Sequence, residues 1–173
     1  MNEPADSQRR LGRGMIAVAW LLALGLLWYV FDGYLERRDN PNRDLVVGPG
    51  AAAELVLKRN RFGHYVAPGT INGQPVVFLL DTGATQVSVP AHLGAALGLV
   101  AGTPQQVLTA NGTVTVRATL IDELGLGPFR VSAVRGHLNP GMRDDQVLLG
   151  MSVLRHLEFT QRGDTLTLRP HGS

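Results

Sequence analysis

Most residues of this chain that are able to do chemistry are dispersed, but one short segment is not. Phe78-Leu79-Leu80 runs directly into Asp81-Thr82-Gly83-Ala84. An apolar strand that ends on a carboxylate in a turn of small residues makes Asp81 the candidate for acid–base work. The tripeptide alone is weak, because Asp-x-Gly is also ordinary turn chemistry. The other acids of the C-terminal part, Glu54, Asp122, Glu123, Asp144, Asp145, Glu158 and Asp164, have no comparable setting and read as solvated loop or turn residues. His64, His92, His137, His156 and His171 show no metal-ligand spacing and read as surface or satisfied core histidines. The chain has no cysteine, which excludes disulfides, thiolate metal sites and a cysteine nucleophile. It has no G-x-S-x-G elbow and no glycine-rich phosphate loop, so no metal and no cofactor are expected.

A second element strengthens the first. Leu148-Leu149-Gly150 follows Asp81-Thr82-Gly83 at a spacing of 67 residues and opens a short helical segment. Between the two lies a hairpin signal at about residues 106–116, tipped by Ala110-Asn111-Gly112. Apolar strand with Asp-Thr-Gly, glycine-tipped hairpin, then apolar-apolar-Gly and helix is an order of parts that resembles the retropepsin-like aspartic proteases. The match is closest to their bacterial, single-span, membrane-anchored branch, through Thr82-Gly83-Ala84-Thr85 and the run Leu148 to Leu154. The resemblance covers about residues 60–168. It implies a mostly β fold: a closed β-barrel lobe with one or two short helices, preceded by a single N-terminal transmembrane helix. It also implies that Asp81 is catalytic, that Thr82, Gly83 and Ala84 support the catalytic loop, and that Leu148, Leu149 and Gly150 pack beneath it. Ala110, Asn111 and Gly112 would be the tip of a flap over the substrate. One departure stands out: retroviral enzymes carry Arg-Asn after the second glycine, where this chain has Met151-Ser152.

The resemblance sets a requirement on assembly. The chemistry of that family needs two carboxylates facing one water, and two so close cannot both ionise, so they share a proton. This chain has a single Asp-Thr-Gly. A homodimer with a two-fold axis would place Asp81 beside its own symmetry mate. The implied activity is aspartic endopeptidase on peptide or protein substrates. The alternative is a dimeric peptide-binding module that keeps the fold without catalysis.

The elements that must position these residues are also legible. Asn72-Gly73 separates HYVAPGTI from QPVVFLL, a strong hairpin signal, so the strand carrying Asp81 is the second arm of a hairpin. Val114, Val116, Ala118 and Leu120 alternate as the inward face of a half-buried strand. Further strands are expected at 129–134, 145–150 and 165–168, and short helices at about Pro90–Leu97 and Met151–His156. Upstream, residues 14–31 contain no charge, which suits a membrane span at the short end of the range. Trp28, Tyr29 and Phe31 suit a headgroup interface. Arg9, Arg10 and Arg13 precede the span, which favours a cytoplasmic N-terminus. The expected organisation is therefore a cytoplasmic tail (1–13), a transmembrane helix (14–31), a linker (32–52) and a protease domain (53–173), periplasmic on the bacterial inner membrane. A net charge of +2 with scattered arginines gives no footprint for nucleic acid.

Overall fold

The computed structural model describes residues 3–45, 54–109 and 112–171. It divides into two compact units, Met1–Arg38 and Asp39–Ser173. The first is helical: α1 spans Glu3–Asp39. Within its segment Arg13–Asp39 an 18-residue window has a mean hydropathy of 2.1, and none of that window is buried against protein. By length and composition this one helix is able to cross a membrane.

The second unit is built of strands: β1 (Leu55–Lys58), β2 (Tyr65–Ile71), β3 (Gln74–Leu80), β4 (Val87–Pro90), β5 (Pro104–Thr109), β6 (Gly112–Leu126), β7 (Phe129–Asn139), β8 (Gln146–Leu149), β9 (Leu157–Arg162) and β10 (Thr165–Pro170). A short helix α2 (Met151–Leu154) separates β8 from β9. The larger sheet runs β2-β3-β8-β4-β7-β6-β5, and β2 pairs with β6 as well. That extra pairing closes six strands into a barrel and leaves β5 outside it, on a hairpin with the first part of β6. The smaller sheet, β1-β10-β9, packs Leu55, Leu57, Leu166 and Leu168 into the same core as Phe78, Ile121 and Leu149.

The turn between β2 and β3 forms as the sequence indicates. Asn72 and Gly73 both have positive φ, 50° and 78°, the backbone that a tight two-residue hairpin requires. The Asn72 side chain also ties the turn to its neighbours. Its Oδ1 accepts from the N–H groups of Asp122 and Glu123, both at 3.1 Å, and its Nδ2 donates to the Leu97 carbonyl at 2.9 Å.

Two expectations need correction. Leu120 is 55% exposed, and Ile121 takes the core position in its place. The strand β6 serves first the outer hairpin and then the barrel, and its ladder with β7 skips Ala133, whose φ is +54°. The register with β7 is the same on both sides of that gap, and Leu124 and Leu126 beyond it are buried. The expected helix at Pro90–Leu97 is only a 3₁₀ turn, Ala91–Leu93, followed by further turns. Gly94 and Gly98, the latter at φ +67°, interrupt it, and glycine is among the poorest helix formers.

Between α1 and β1, Asn42 is 4% exposed. Its Nδ2 donates to the carbonyls of Lys58 (2.8 Å) and Val66 (2.7 Å), and its Oδ1 accepts from the Lys58 N–H (2.8 Å). One side chain thereby satisfies backbone groups of two strands beside the single antiparallel bridge between Arg59 and Tyr65.

Candidate active site

Asp81 lies one residue beyond the end of β3. Its position is fixed from below by a strand distant in sequence. β3 and β8 run parallel, with Leu79 beside Leu148 and Leu80 beside Leu149. The Asp81 N–H continues the ladder and donates to the Leu149 carbonyl at 3.1 Å. The loop then turns on itself: Asp81 Oδ1 accepts from the Gly83 N–H (2.8 Å), and the Asp81 carbonyl from the Ala84 N–H (3.2 Å).

The start of α2 clamps the far side of the loop. The N–H groups of Met151 and Ser152 donate to the carbonyls of Ala84 (2.8 Å) and Thr85 (2.9 Å). Gly150 makes this approach possible. A Cβ at that position would lie 2.5 Å from the Gln86 carbonyl oxygen and 2.6 Å from that of Ala84, inside any real contact distance. The glycine is required by proximity, since its φ is an ordinary −91°. The predicted Leu148, Leu149 and Gly150 thus meet the predicted Asp81-Thr82-Gly83-Ala84 directly. Asp81 is half-buried, while Thr82 and Gly83 are exposed at the loop tip.

Asp81 opens onto a cavity of about 750 Å³. The loop residues Gly83 to Gln86 form one wall, Gln105, Val107, Leu108, Thr109 and Val114 of the β5–β6 hairpin another, and Ser88, His137, Asn139 and Leu148 the floor. The hairpin leaves the barrel beside the cavity. Of its predicted tip, Gly112 is described, with φ +104°, while Ala110 and Asn111 lie outside the described residues. Leu108, near the tip, is 86% exposed. Asp81 is the only formal charge among the described residues lining the cavity. Among the described residues no three His, Asp or Glu side chains are grouped as a metal site would need.

Residues 67–156 match the family described as "gag-polyprotein putative aspartyl protease". The chain belongs to the retropepsin-like aspartic protease family. Among solved structures, this retropepsin-like chain is similar to the crystal structure of a retropepsin-like aspartic protease from Rickettsia conorii. The two share 29% identity at a TM-score of 0.57, over 66% of this chain and 89% of that one. Among relatives by sequence, an uncharacterised Sinorhizobium protein from the region 5′ of cobV is 30% identical over 95% of this chain and 77% of its own length. An uncharacterised Rickettsia prowazekii protein is 26% identical over 61% of this chain, and the match spans 46% of that relative. The retropepsin-like fold accounts for the barrel and for the parallel support beneath Asp81.

Sequence reasoning missed the floor of the cavity. Ser88, His137 and Asn139 are 3%, 8% and 7% exposed, yet all three line it. His137 is neither a surface histidine nor one with a partner: no hydrogen bond or ion pair to its ring is found among the described residues. Burial lowers its pKa below the usual 6.5, because a charged imidazolium would lose its hydration there. A signal was present in the polar residues that alternate with Val87, Val89 and Leu138, the pattern of a strand with one apolar face.

Proposed function

We propose that this chain is a membrane-anchored aspartic endopeptidase whose dyad forms when two copies pair, each supplying Asp81. The observation that carries the reading is the half-buried Asp81 at the mouth of the cavity, on a loop held by Leu149, Met151 and Ser152. Thr82 and Gly83, exposed on the same loop, are where a symmetry mate would be met. In this reading one Asp81 is charged and takes a proton from a water held between the two. The water oxygen attacks the carbonyl carbon of the scissile bond. The other Asp81, protonated, gives its proton to the carbonyl oxygen, and a gem-diol forms. As it collapses, the first Asp81 gives its proton to the leaving nitrogen, the second takes one from a gem-diol hydroxyl, the C–N bond breaks, and a carboxylic acid and an amine are released.

Thr82, Gly83 and Ala84 then shape the loop, Leu148, Leu149 and Gly150 support it, and the hairpin tipped by Ala110, Asn111 and Gly112 closes over an extended peptide. The apolar helix would anchor the chain in a bacterial inner membrane as residues 14–31. The N-terminus would lie in the cytoplasm, with a linker (32–52) and the protease domain (53–173) in the periplasm. Anchoring in one membrane raises the effective concentration of the two copies and so favours pairing.

The test uses the full-length chain in mild detergent, wild type beside Asp81→Asn, with a diverse peptide mixture between about pH 4 and pH 7. Cleavage is read by mass spectrometry. Cuts made by wild type and missing from the variant are the expected result. A wild type that is dimeric by sedimentation yet cuts nothing at any pH would overturn the reading and leave a binding module.

A further inference from the structure

Three buried polar side chains in the cavity have no role in the hydrolysis just described. They face one way because the strands alternate. Val87 and Val89 of β4 point into the core, so Ser88 between them points into the cavity. Leu138 of β7 points into the core, so His137 and Asn139 on either side of it point into the cavity. Val147 and Leu149 of β8 do the same for Leu148. The register then sets them in a row across the floor, with Ser88 beside Leu148 on one side and beside His137 on the other.

Within the protein this row is only partly satisfied. Asn139 Oδ1 accepts from the Gly141 N–H at 2.8 Å. Its Nδ2 reaches Ser88 Oγ at a long 3.4 Å, and Ser88 Oγ donates to the Met142 sulfur, a weak acceptor. The His137 ring has no partner among the described residues. In its neutral form, which burial favours, it presents one N–H donor and one bare nitrogen acceptor. Their spare donors and acceptors open onto the cavity, where a ligand can complete them.

We propose that Ser88, His137 and Asn139 form a specificity pocket that takes an uncharged hydrogen-bonding side chain of the substrate, an amide or a hydroxyl, close to the scissile bond. The proposal rests on the peptidase reading and refines it. A carboxylate would meet neutral groups and the charge of Asp81, the only one on the lining. An ammonium group would lose its hydration on a neutral floor, and pairing it with Asp81 would engage the carboxylate that the reaction uses. An aliphatic side chain would leave the donors and acceptors of His137 unpaired. A site built to hydrogen-bond its ligand discriminates strongly against one that cannot. Closeness to the bond follows because the floor and Asp81 line one cavity.

The test profiles cleavage by the full-length chain in detergent on a proteome-derived peptide library, wild type beside His137→Leu and Ser88→Val. Expected is an enrichment of Asn, Gln, Ser or Thr at one position flanking the cut. In His137→Leu that preference should shift toward Leu and Met by about tenfold or more. A wild type that cuts with no polar preference at any flanking position would overturn the pocket and leave the peptidase reading standing. An unchanged profile in both variants would do the same. If the wild type cuts nothing, or the variants do not fold, NMR of wild type carrying ¹³Cε1-histidine decides. The His137 signal, assigned by its loss in His137→Gln, should move with Asn- and Ser-containing peptides and not with their Leu counterparts. No movement with either set would overturn the proposal.

Discussion

Gly150 and Ala84, 66 positions apart in the chain, are packed so closely that a methyl group on the first would lie 2.6 Å from the carbonyl oxygen of the second. The Met151 N–H donates to that same oxygen at 2.8 Å, so the contact cannot open without breaking a hydrogen bond. Gly150→Ala should therefore destabilise the domain by about 1–3 kcal/mol, the usual cost of overpacking. A urea titration of the full-length chain in detergent, followed by far-UV circular dichroism, measures it. A change under about 0.5 kcal/mol, the range of ordinary surface substitutions, would mean that the loop yields freely.

Thr82 makes a different prediction, because it is exposed. Thr82→Ala should leave the stability of the single chain within about 0.5 kcal/mol of wild type. If two loops meet at this residue, the same change should weaken pairing. Sedimentation equilibrium across a dilution series would show a raised dimer dissociation constant, with Thr82→Ser in between. A dissociation constant equal to wild type would place Thr82 outside the contact.

Acid should weaken the fold through His137. Its folded pKa is depressed by burial, so on acidification the unfolded chain takes up a proton first, near 6.5. Its contribution is fully present above that value and is lost as pH falls through the lower folded pKa. The thermal midpoint should fall between about pH 7.5 and pH 5, and His137→Gln should flatten part of that slope. Identical slopes in the two proteins would show that other groups carry the dependence.

Asn42 joins Lys58 and Val66 through three hydrogen bonds of 2.7 to 2.8 Å. Asn42→Ala should leave those backbone groups unpaired, at a cost of about 1–3 kcal/mol. The local readout is amide exchange at Lys58, whose N–H donates to the lost Oδ1. Protection there equal to wild type would contradict the assignment.

The parts that the sequence made legible are those whose signals are local. Asn72-Gly73 declares its hairpin because few residues accept positive φ at two successive positions. Asp81-Thr82-Gly83 and Leu148-Leu149-Gly150 were visible as types and spacing, and the fold brings them into contact. The strand β4 escaped notice because it is four residues long and carries a serine and a proline. Ser88 and His137 become neighbours only through the parallel pairing of β4 with β7, and nothing near either residue encodes that pairing. His137 looked ordinary because burial belongs to the assembled barrel and not to the tripeptide around it.

The support beneath Asp81 has a consequence for timing. The loop's partners, Leu149, Met151 and Ser152, follow Asp81 by 68, 70 and 71 residues, and the parallel strand that brings them pairs with β3 across that whole separation. Contacts of such large sequence separation form slowly, since the chain must first close the intervening loop. On a ribosome the aspartate emerges well before its brace does. A nascent chain therefore passes through a long interval in which the residue is made and its loop is unsupported. The brace is complete only with residues 146–152, so the Asp81 loop gains its support after most of the domain has been synthesised.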